Sequence, residues 1–248
     1  MATVLCAGMF TTPSPAADTV LLSTLEWPPY SSQELPGGGA SVVVARKAFA
    51  AVGLNLEVQF FPWKRAVDTG LKGDGFFGYM PEYKAERLVP ICHMSNIMGD
   101  SPLGIIQRKD KPLAWKRLED LARHTLGVVA GYVNTEEFDA LMNSGRLDIR
   151  PVADDLTNIR KVQGGRIDGA VMDENVFDYL MNRDPYLREN PGNVEFNQNI
   201  LELKGLFICF RSTKEGARLR DLFNKGLSTF DYKDVQDSYI RLVLGNPE

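Results

Sequence analysis

The chain has 248 residues, 44% hydrophobic and 24% charged. That is enough apolar content for one large or two modest cores, and not the composition of a disordered chain. The formal net charge is -4, with Lys and Arg scattered rather than clustered, which argues against a nucleic-acid partner. No apolar run reaches the roughly 18 residues that a membrane helix needs.

Residues 1–17 are apolar through Val4-Leu5-Cys6-Ala7-Gly8-Met9-Phe10 and then turn to small residues and prolines. Ser14 and Ala16 fit an A-x-A-like cleavage rule, so the segment reads as the remnant of an export signal lacking its positive start. A tag-like disordered terminus is the alternative. Cys6 lies inside the apolar stretch rather than at its end, which disfavours a lipid anchor. Residues 19–24 form a predicted strand, ended by Trp27-Pro28-Pro29-Tyr30 because two prolines cannot continue a ladder. After a Pro36-Gly37-Gly38-Gly39 loop, the apolar spacing predicts a helix over 41–52, stopped by Gly53. A strand follows at 54–61, a helix opened by Pro62 at 63–71, a short apolar strand at 75–80, a helical turn at 85–88 and a strand at 103–107. The charged run Arg108-Lys109-Asp110-Lys111-Pro112 reads as a crossing between two lobes.

A second cycle then begins. Helices are predicted at 116–122, 135–143, 156–163, 175–181, 217–230 and 235–244, and strands at 125–130, 147–152, 167–172 and 203–210. Strands alternating with helices mean an α/β fold with largely parallel sheets. Cys92 and Cys209 each lie in an apolar strand-like run and read either as a disulfide or as buried thiols.

Some motifs mislead. Gly73-Asp74-Gly75-Phe76-Phe77-Gly78 fits G-x-G-x-x-G, but it follows a helix and opens a strand, the reverse of a dinucleotide loop. There is no P-loop. Cys92 and His93 are strand neighbours pointing to opposite faces, so they form no dyad. His124 is the only other histidine, which excludes a histidine-rich zinc site by count.

Two stretches carry the functional signal: Tyr83-Lys84-Ala85-Glu86-Arg87, and Gly165 to Glu174 with Asp173 just past a buried strand. A guanidinium and a carboxylate facing each other across a cleft grip the two ends of a zwitterion. On the residues alone, Arg87 reads either as such a ligand group or as a surface ion pair with Glu86 or Glu82. Asp173 reads either as its counterpart or as a helix N-cap. Tyr30 either covers a ligand or packs on Pro28 and Pro29. Trp63 either stacks on a ligand or belongs to a core.

Five segments together resemble the bacterial extracellular solute-binding proteins of family 3, the polar-amino-acid type that serve ABC importers: Leu25-Glu26-Trp27-Pro28-Pro29-Tyr30, Phe61 to Ala66, Glu86-Arg87, Gly131-Tyr132 and Gly165-Arg166-Ile167-Asp168. The resemblance covers 18–244. It implies a two-lobe periplasmic-binding-protein fold of type II, each lobe a β-sheet flanked by helices, with two crossover strands as hinge. Lobe 1 is then 18–108 with 204–248, and lobe 2 is 109–203. It also implies that Arg87 takes the ligand carboxylate, Asp173 the ammonium, and that Tyr30 covers the ligand. The turn holding Tyr132, Asn134 and Thr135 would offer N–H groups and a hydroxyl, although Asn134 or Thr135 equally serves as an N-cap. Met80 and Glu82 stand where such proteins carry Ser or Thr, which turns the expectation toward a cationic ligand or one rich in hydroxyl and amine donors. Arg65 would reach the cleft with Glu82 or Glu26 as partner.

The function implied is periplasmic capture of a small polar solute, amino-acid-like or cationic, for the permease of an ABC importer, by a monomer without cofactor, metal or chemistry. Two alternatives stay open. One is an enzyme on the same scaffold, cyclohexadienyl-dehydratase-like, with Glu82, Asp173 and Glu174 as available acids. The other is a sensing module for a separate receptor.

Overall fold

The computed structural model describes residues 18–245. The predicted leader, with Cys6, lies outside the described residues. Parallel strands β1 (Thr19–Thr24) and β2 (Asn55–Phe60) pair, and β1 also pairs with β3 (Gly78–Tyr83). Helices α1 (Ala40–Ala50) and α2 (Trp63–Lys72) link them. The short β4 (Cys92–Met94) precedes β5 (Gly99–Arg108). The second set comprises β6 (Thr125–Val129), α3 (Glu136–Asn143), β7 (Asp148–Val152), α4 (Asp155–Gln163), β8 (Gly169–Asp173) and α5 (Glu174–Arg183). Then come α6 (Pro185–Glu189), β9 (Val194–Phe196), β10 (Glu202–Arg211), α7 (Lys214–Leu227) and α8 (Tyr232–Leu244).

The strands run β2-β1-β3-β10-β5-β8-β6-β7, with β4 beside β10 and β9 beside β5. Pairing is parallel within each lobe and antiparallel wherever β10 and β5 take part. The sheet is therefore mixed, not largely parallel as expected, because the two ten-residue strands carry the chain between lobes. Glu202–Leu206 pairs with Leu103–Gly99, while the rest of β10 joins β3 and β4 and the rest of β5 joins β8. These two strands make the crossing. The Arg108 to Pro112 run is instead a tight turn in which Arg108 grips Asp110 and Lys111 reaches Asp168 at 2.6 Å.

Each lobe buries its own core. Phe49, Phe210 and Phe223 centre the first, where α1 and α7 cover the sheet. Ile106, Ile159 and Met172 centre the second, under α4 and α5. A third cluster crosses the junction, from Trp27, Tyr30 and Tyr83 to Val133 and Val176. Cys92 and Cys209 form a disulfide that ties β4 to β10.

Several elements differ from the sequence reading in extent. The predicted helix at 116–122 is a 3₁₀ turn, Leu118–Arg123, and that at 85–88 is a 3₁₀ turn, Glu86–Leu88. Neither α6 nor β9 was predicted; each is too short to show periodicity. The strand expected at 75–80 begins at Gly78 and continues through Pro81 and Glu82 to Tyr83, buried along its whole length. The glycines of the false dinucleotide motif have local causes. Gly75 sits at φ +78°, and a Cβ on Gly78 would collide with the carbonyl of Cys209 on the neighbouring strand.

Candidate functional site

The cleft between the lobes is framed by loops at the carboxyl ends of the strands, where α/β sheets bind ligands. From lobe 1 come the Trp27–Tyr30 loop, Trp63 at the start of α2, and the end of β3. From lobe 2 come the turn after β6, the start of α4 and the β8–α5 junction. The Trp27–Tyr30 turn closes on itself, Tyr30 donating its N–H to the Trp27 carbonyl at 3.0 Å, and the two rings stack with centroids 4.6 Å apart. This places both rings over the cleft.

Asp173 is 2% exposed. Its Oδ1 caps α5 by accepting from the N–H of Val176 at 2.9 Å. Its Oδ2 accepts from the Tyr30 hydroxyl at 3.0 Å and from the Ser101 hydroxyl, which in turn lies 2.5 Å from the Tyr83 hydroxyl. Asn175 donates to the Tyr30 oxygen at 2.8 Å. The N-cap reading of Asp173 is thus realised through Oδ1, while Oδ2 turns to the Tyr30 and Ser101 hydroxyls at the lobe junction. Burial pushes its carboxyl up to about 7, against the pull of those donors.

Asp155, the first residue of α4, is also buried. Its neighbour Asp154 caps the helix by accepting from the Thr157 N–H at 2.7 Å, which leaves Asp155 free to turn into the cleft, where it lines the same groove as Trp27. Burial, then Asp173 and Asp154, push it up to about 7.

Glu82 is the third buried carboxyl. It accepts from the Tyr79 hydroxyl at 2.9 Å and from the N–H of Tyr83 at 2.8 Å. The pairing of β10 with β3 shifts register between Phe207 and Cys209, a bulge that re-aims side chains. Burial raises Glu82 to about 7, opposed by its two donors and by the charges of Arg87 and Lys204.

Aromatic rings fill the space between these acids. Trp63 meets Tyr79 and Tyr132 edge-on, each at 5.6 Å, and its indole N–H donates to the Gly131 carbonyl at 3.2 Å, a direct bond between lobes. Tyr132 also meets Trp27 edge-on at 6.4 Å. Inside, Trp27, Trp63, Glu82, Tyr83 and Tyr132 line a cavity of about 30 Å³, room for a group the size of one or two waters. Outside it opens a groove of about 1000 Å³ that shares Trp27, Trp63 and Tyr132.

Of the residues singled out from sequence, Tyr30, Trp63, Glu82, Tyr132 and Asp173 are brought together in the cleft. Glu26 lines the outer groove and accepts from Gln33. Met80 points the other way, into the core of lobe 1. Arg65 is exposed on the first turn of α2, its guanidinium 5.2 Å from the Phe61 ring centre, rather than paired with Glu82 or Glu26. Arg87 is exposed on the 3₁₀ turn and makes no ion pair with Asp173 among the described residues. Asn134 and Thr135 are buried, but they serve α3: Asn134 donates to Asp139, and Thr135 accepts from the Phe138 N–H at 3.1 Å. Trp27, Tyr79, Tyr83, Ser101, Asp155 and Asn175 complete the cleft and were not foreseen. The acidic pair Asp154-Asp155 before a predicted helix was the one available signal, since a single acid suffices for a cap.

Among the described residues no group of three or more His, Cys, Asp or Glu side chains is placed to hold a metal, and no helix is long and apolar enough to cross a membrane. No family model and no curated protein matches the chain. Solved structures do. A histidine kinase sensor domain with similarity to periplasmic binding proteins aligns at TM-score 0.76 and 18% identity, over 93% of this chain and 97% of that one. An ancestral arginine-binding protein bound to arginine aligns at 0.70 and 17%, over 93% and 100%. An ancestral amino-acid-binding protein, a precursor of cyclohexadienyl dehydratase, aligns at 0.68 and 18%, over 91% and 95%. The chain has the two-lobe periplasmic-binding-protein fold, with β5 and β10 as the strands that cross between its lobes.

Proposed function

We propose that this chain is an exported solute-binding protein that captures a small polar solute between its lobes and presents it to the permease of an ABC importer. The observation that carries this reading is the cleft itself. Aromatic rings and three buried carboxyls from both lobes converge there, and the lobes are joined by two strands. Lobe 1 is taken as the chain before β5 and after β10, and lobe 2 as the chain between them, the far end of β5 with Ile106 already lying in the core of lobe 2. A solute touching both lobes favours the closed arrangement, and closure is the signal. Tyr30, Trp63 and Glu82 contribute from lobe 1; Tyr132, Asp155 and Asp173 contribute from lobe 2. Arg87 stays at the rim. The working unit is a monomer in the periplasm.

A sensor is the second reading, favoured by the similarity to a histidine kinase sensor domain and by the direct Trp63–Gly131 bond between lobes, which couples lobe position to cleft contents. Capture is the same in both; the partner differs.

The test is a thermal-shift screen with amino acids, amines, small carboxylates and prephenate-like acids. Saturation at a hundred times the dissociation constant adds about 2.7 kcal/mol of stability. A hit recovered unchanged after incubation, and lost in Asp173→Ala, supports capture. A hit that is consumed moves the protein to the dehydratase-like class. No hit across the panel contradicts solute capture.

A further inference from the structure

The outer groove has one sign. Glu26 and Glu34 line it from lobe 1, Asp154 and Asp155 from lobe 2, and Glu82 continues the series into the inner cavity. Between them stand the rings of Trp27, Phe61, Trp63, Tyr132 and Tyr179. Among the described residues lining these two spaces there is no Lys, Arg or His. The groove on the opposite side of the lobe junction is different in kind, with Lys84, Lys116 and Arg117 mixed among Glu86, Glu119 and Glu136. The single sign is therefore a property of this mouth, not a reflection of the chain's overall charge.

An amino acid needs a partner for its carboxylate, and no cation among the described residues lines either space. Arg65 is exposed with its guanidinium 5.2 Å from the Phe61 ring centre, and Arg87 is exposed on its 3₁₀ turn, its charge acting on Glu82 and Tyr79 although it does not line the inner cavity. Lys204 is buried, but it pairs with Glu202 at 3.3 Å and lies 5.6 Å from the Tyr83 ring centre, lining the opposite groove. Helix N-termini are the other usual anion sites. Here the three helices α3, α4 and α5 are capped by their own side chains, Thr135, Asp154 and Asp173. Each cap uses an N–H that an anion would take, and two of the caps are themselves acids.

We propose that the cleft takes an organic cation without a carboxylate, a diamine or a guanidino-amine. This rests on the reading of the cleft as a solute site and names its substrate class. Ring faces attract a desolvated cation, and carboxylates supply charge-assisted acceptors. The acids stand at two depths, Glu82 at the inner cavity and Asp154, Asp155 and Glu26 at the mouth, which suits a ligand with a cationic group at each end. The inner cavity of about 30 Å³ matches a single ammonium-sized group rather than a whole amino acid.

Agmatine and arginine share a guanidinium and differ by one carboxylate, so calorimetric titration of the full chain with both, at about pH 8 where the acids are ionised, is the direct test. Agmatine binds at least about tenfold more tightly than arginine, and both Asp155→Asn and Glu34→Gln weaken it. Glu34 is exposed, so its variant reports on charge at the mouth without threatening the fold. Arginine or glutamate binding as tightly as agmatine overturns the inference while leaving solute capture standing. So does undiminished agmatine binding in both variants. Absence of binding by agmatine, putrescine, arginine and glutamate overturns the inference; if the wider screen also returns nothing, solute capture falls with it.

Discussion

The hydroxyl of Tyr30 donates to Oδ2 of Asp173 at 3.0 Å, joining residues 143 apart in the chain and on opposite lobes. The same phenol oxygen accepts from Asn175, and the same carboxylate oxygen accepts from Ser101 on the crossing strand β5. Lobe closure is thus tied to one small polar network. Tyr30, Ser101 and Asp173 are buried, so a donor lost among them is felt in full.

Tyr30→Phe removes one donor from Asp173 and leaves Asn175 without its acceptor, at the same ring volume. The expected cost is about 1–3 kcal/mol, read as a lower urea midpoint with little change in slope. A midpoint equal to that of the parent chain would show that the network contributes nothing to closure.

The three cleft carboxyls set a pH dependence. Glu82, Asp155 and Asp173 are each held near 7 in the folded chain, against about 4 in the unfolded one. The folded state therefore binds their protons more tightly. The stability they contribute is fully present below about pH 4 and is lost as pH rises through about 7. Acids held low by partners, such as Asp168 beside Lys111, act in the opposite sense but finish titrating below their ordinary range. The thermal midpoint is expected to fall between about pH 5 and pH 8, and Asp155→Asn to flatten that fall. A midpoint rising over this window would contradict the burial of these groups.

Trp63 carries another direct link between lobes. Trp63→Ala removes its bond to Gly131 and its contacts with Tyr79 and Tyr132. Truncating a large buried aromatic costs about 3–5 kcal/mol in a core, and less here because Trp63 is only half-buried. The sharper readout is acrylamide quenching of Trp27, which becomes more accessible. Unchanged quenching would mean that Trp63 does not shield the cleft.

Reducing the Cys92–Cys209 bridge opens a loop of 117 residues. Loop-closure entropy for that length is on the order of 4–5 kcal/mol, so the Cys92→Ser, Cys209→Ser double variant should show a lower guanidinium midpoint. Because Cys209 is fully buried, alkylation of these thiols in the reduced chain should require unfolding. Labelling as fast as for an exposed cysteine would contradict the placement of β10.

Much of this was legible in the residues. The alternation of apolar runs led to an α/β fold, the resemblance to solute-binding proteins to its two lobes, and the Trp27-Pro28-Pro29-Tyr30 stop and the Asp173 position after a buried run to both residues of the Tyr30–Asp173 pair. What was not legible depended on register and direction. Glu82 and Tyr79 meet because β3 extends three residues past its apolar segment and carries, between Tyr79 and Glu82, one residue more than β10 has opposite it. Asp155 was hidden because an acid at a helix start reads as a cap, and only the structure shows that Asp154 already fills that role. Arg87 lies on a 3₁₀ turn, whose three-residue period gives no amphipathic pattern from which its facing could be read.

The central claim is that the groups meeting in the cleft govern how the lobes sit. Small-angle scattering of the full chain tests it most directly, at about pH 5, at about pH 8, and at pH 8 with saturating agmatine. The radius of gyration should rise from the first condition to the second, as Glu82 of lobe 1 ionises opposite Asp155 and Asp173 of lobe 2 and the like charges repel across the cleft, and fall back in the third. Superimposable curves in all three conditions would contradict the claim.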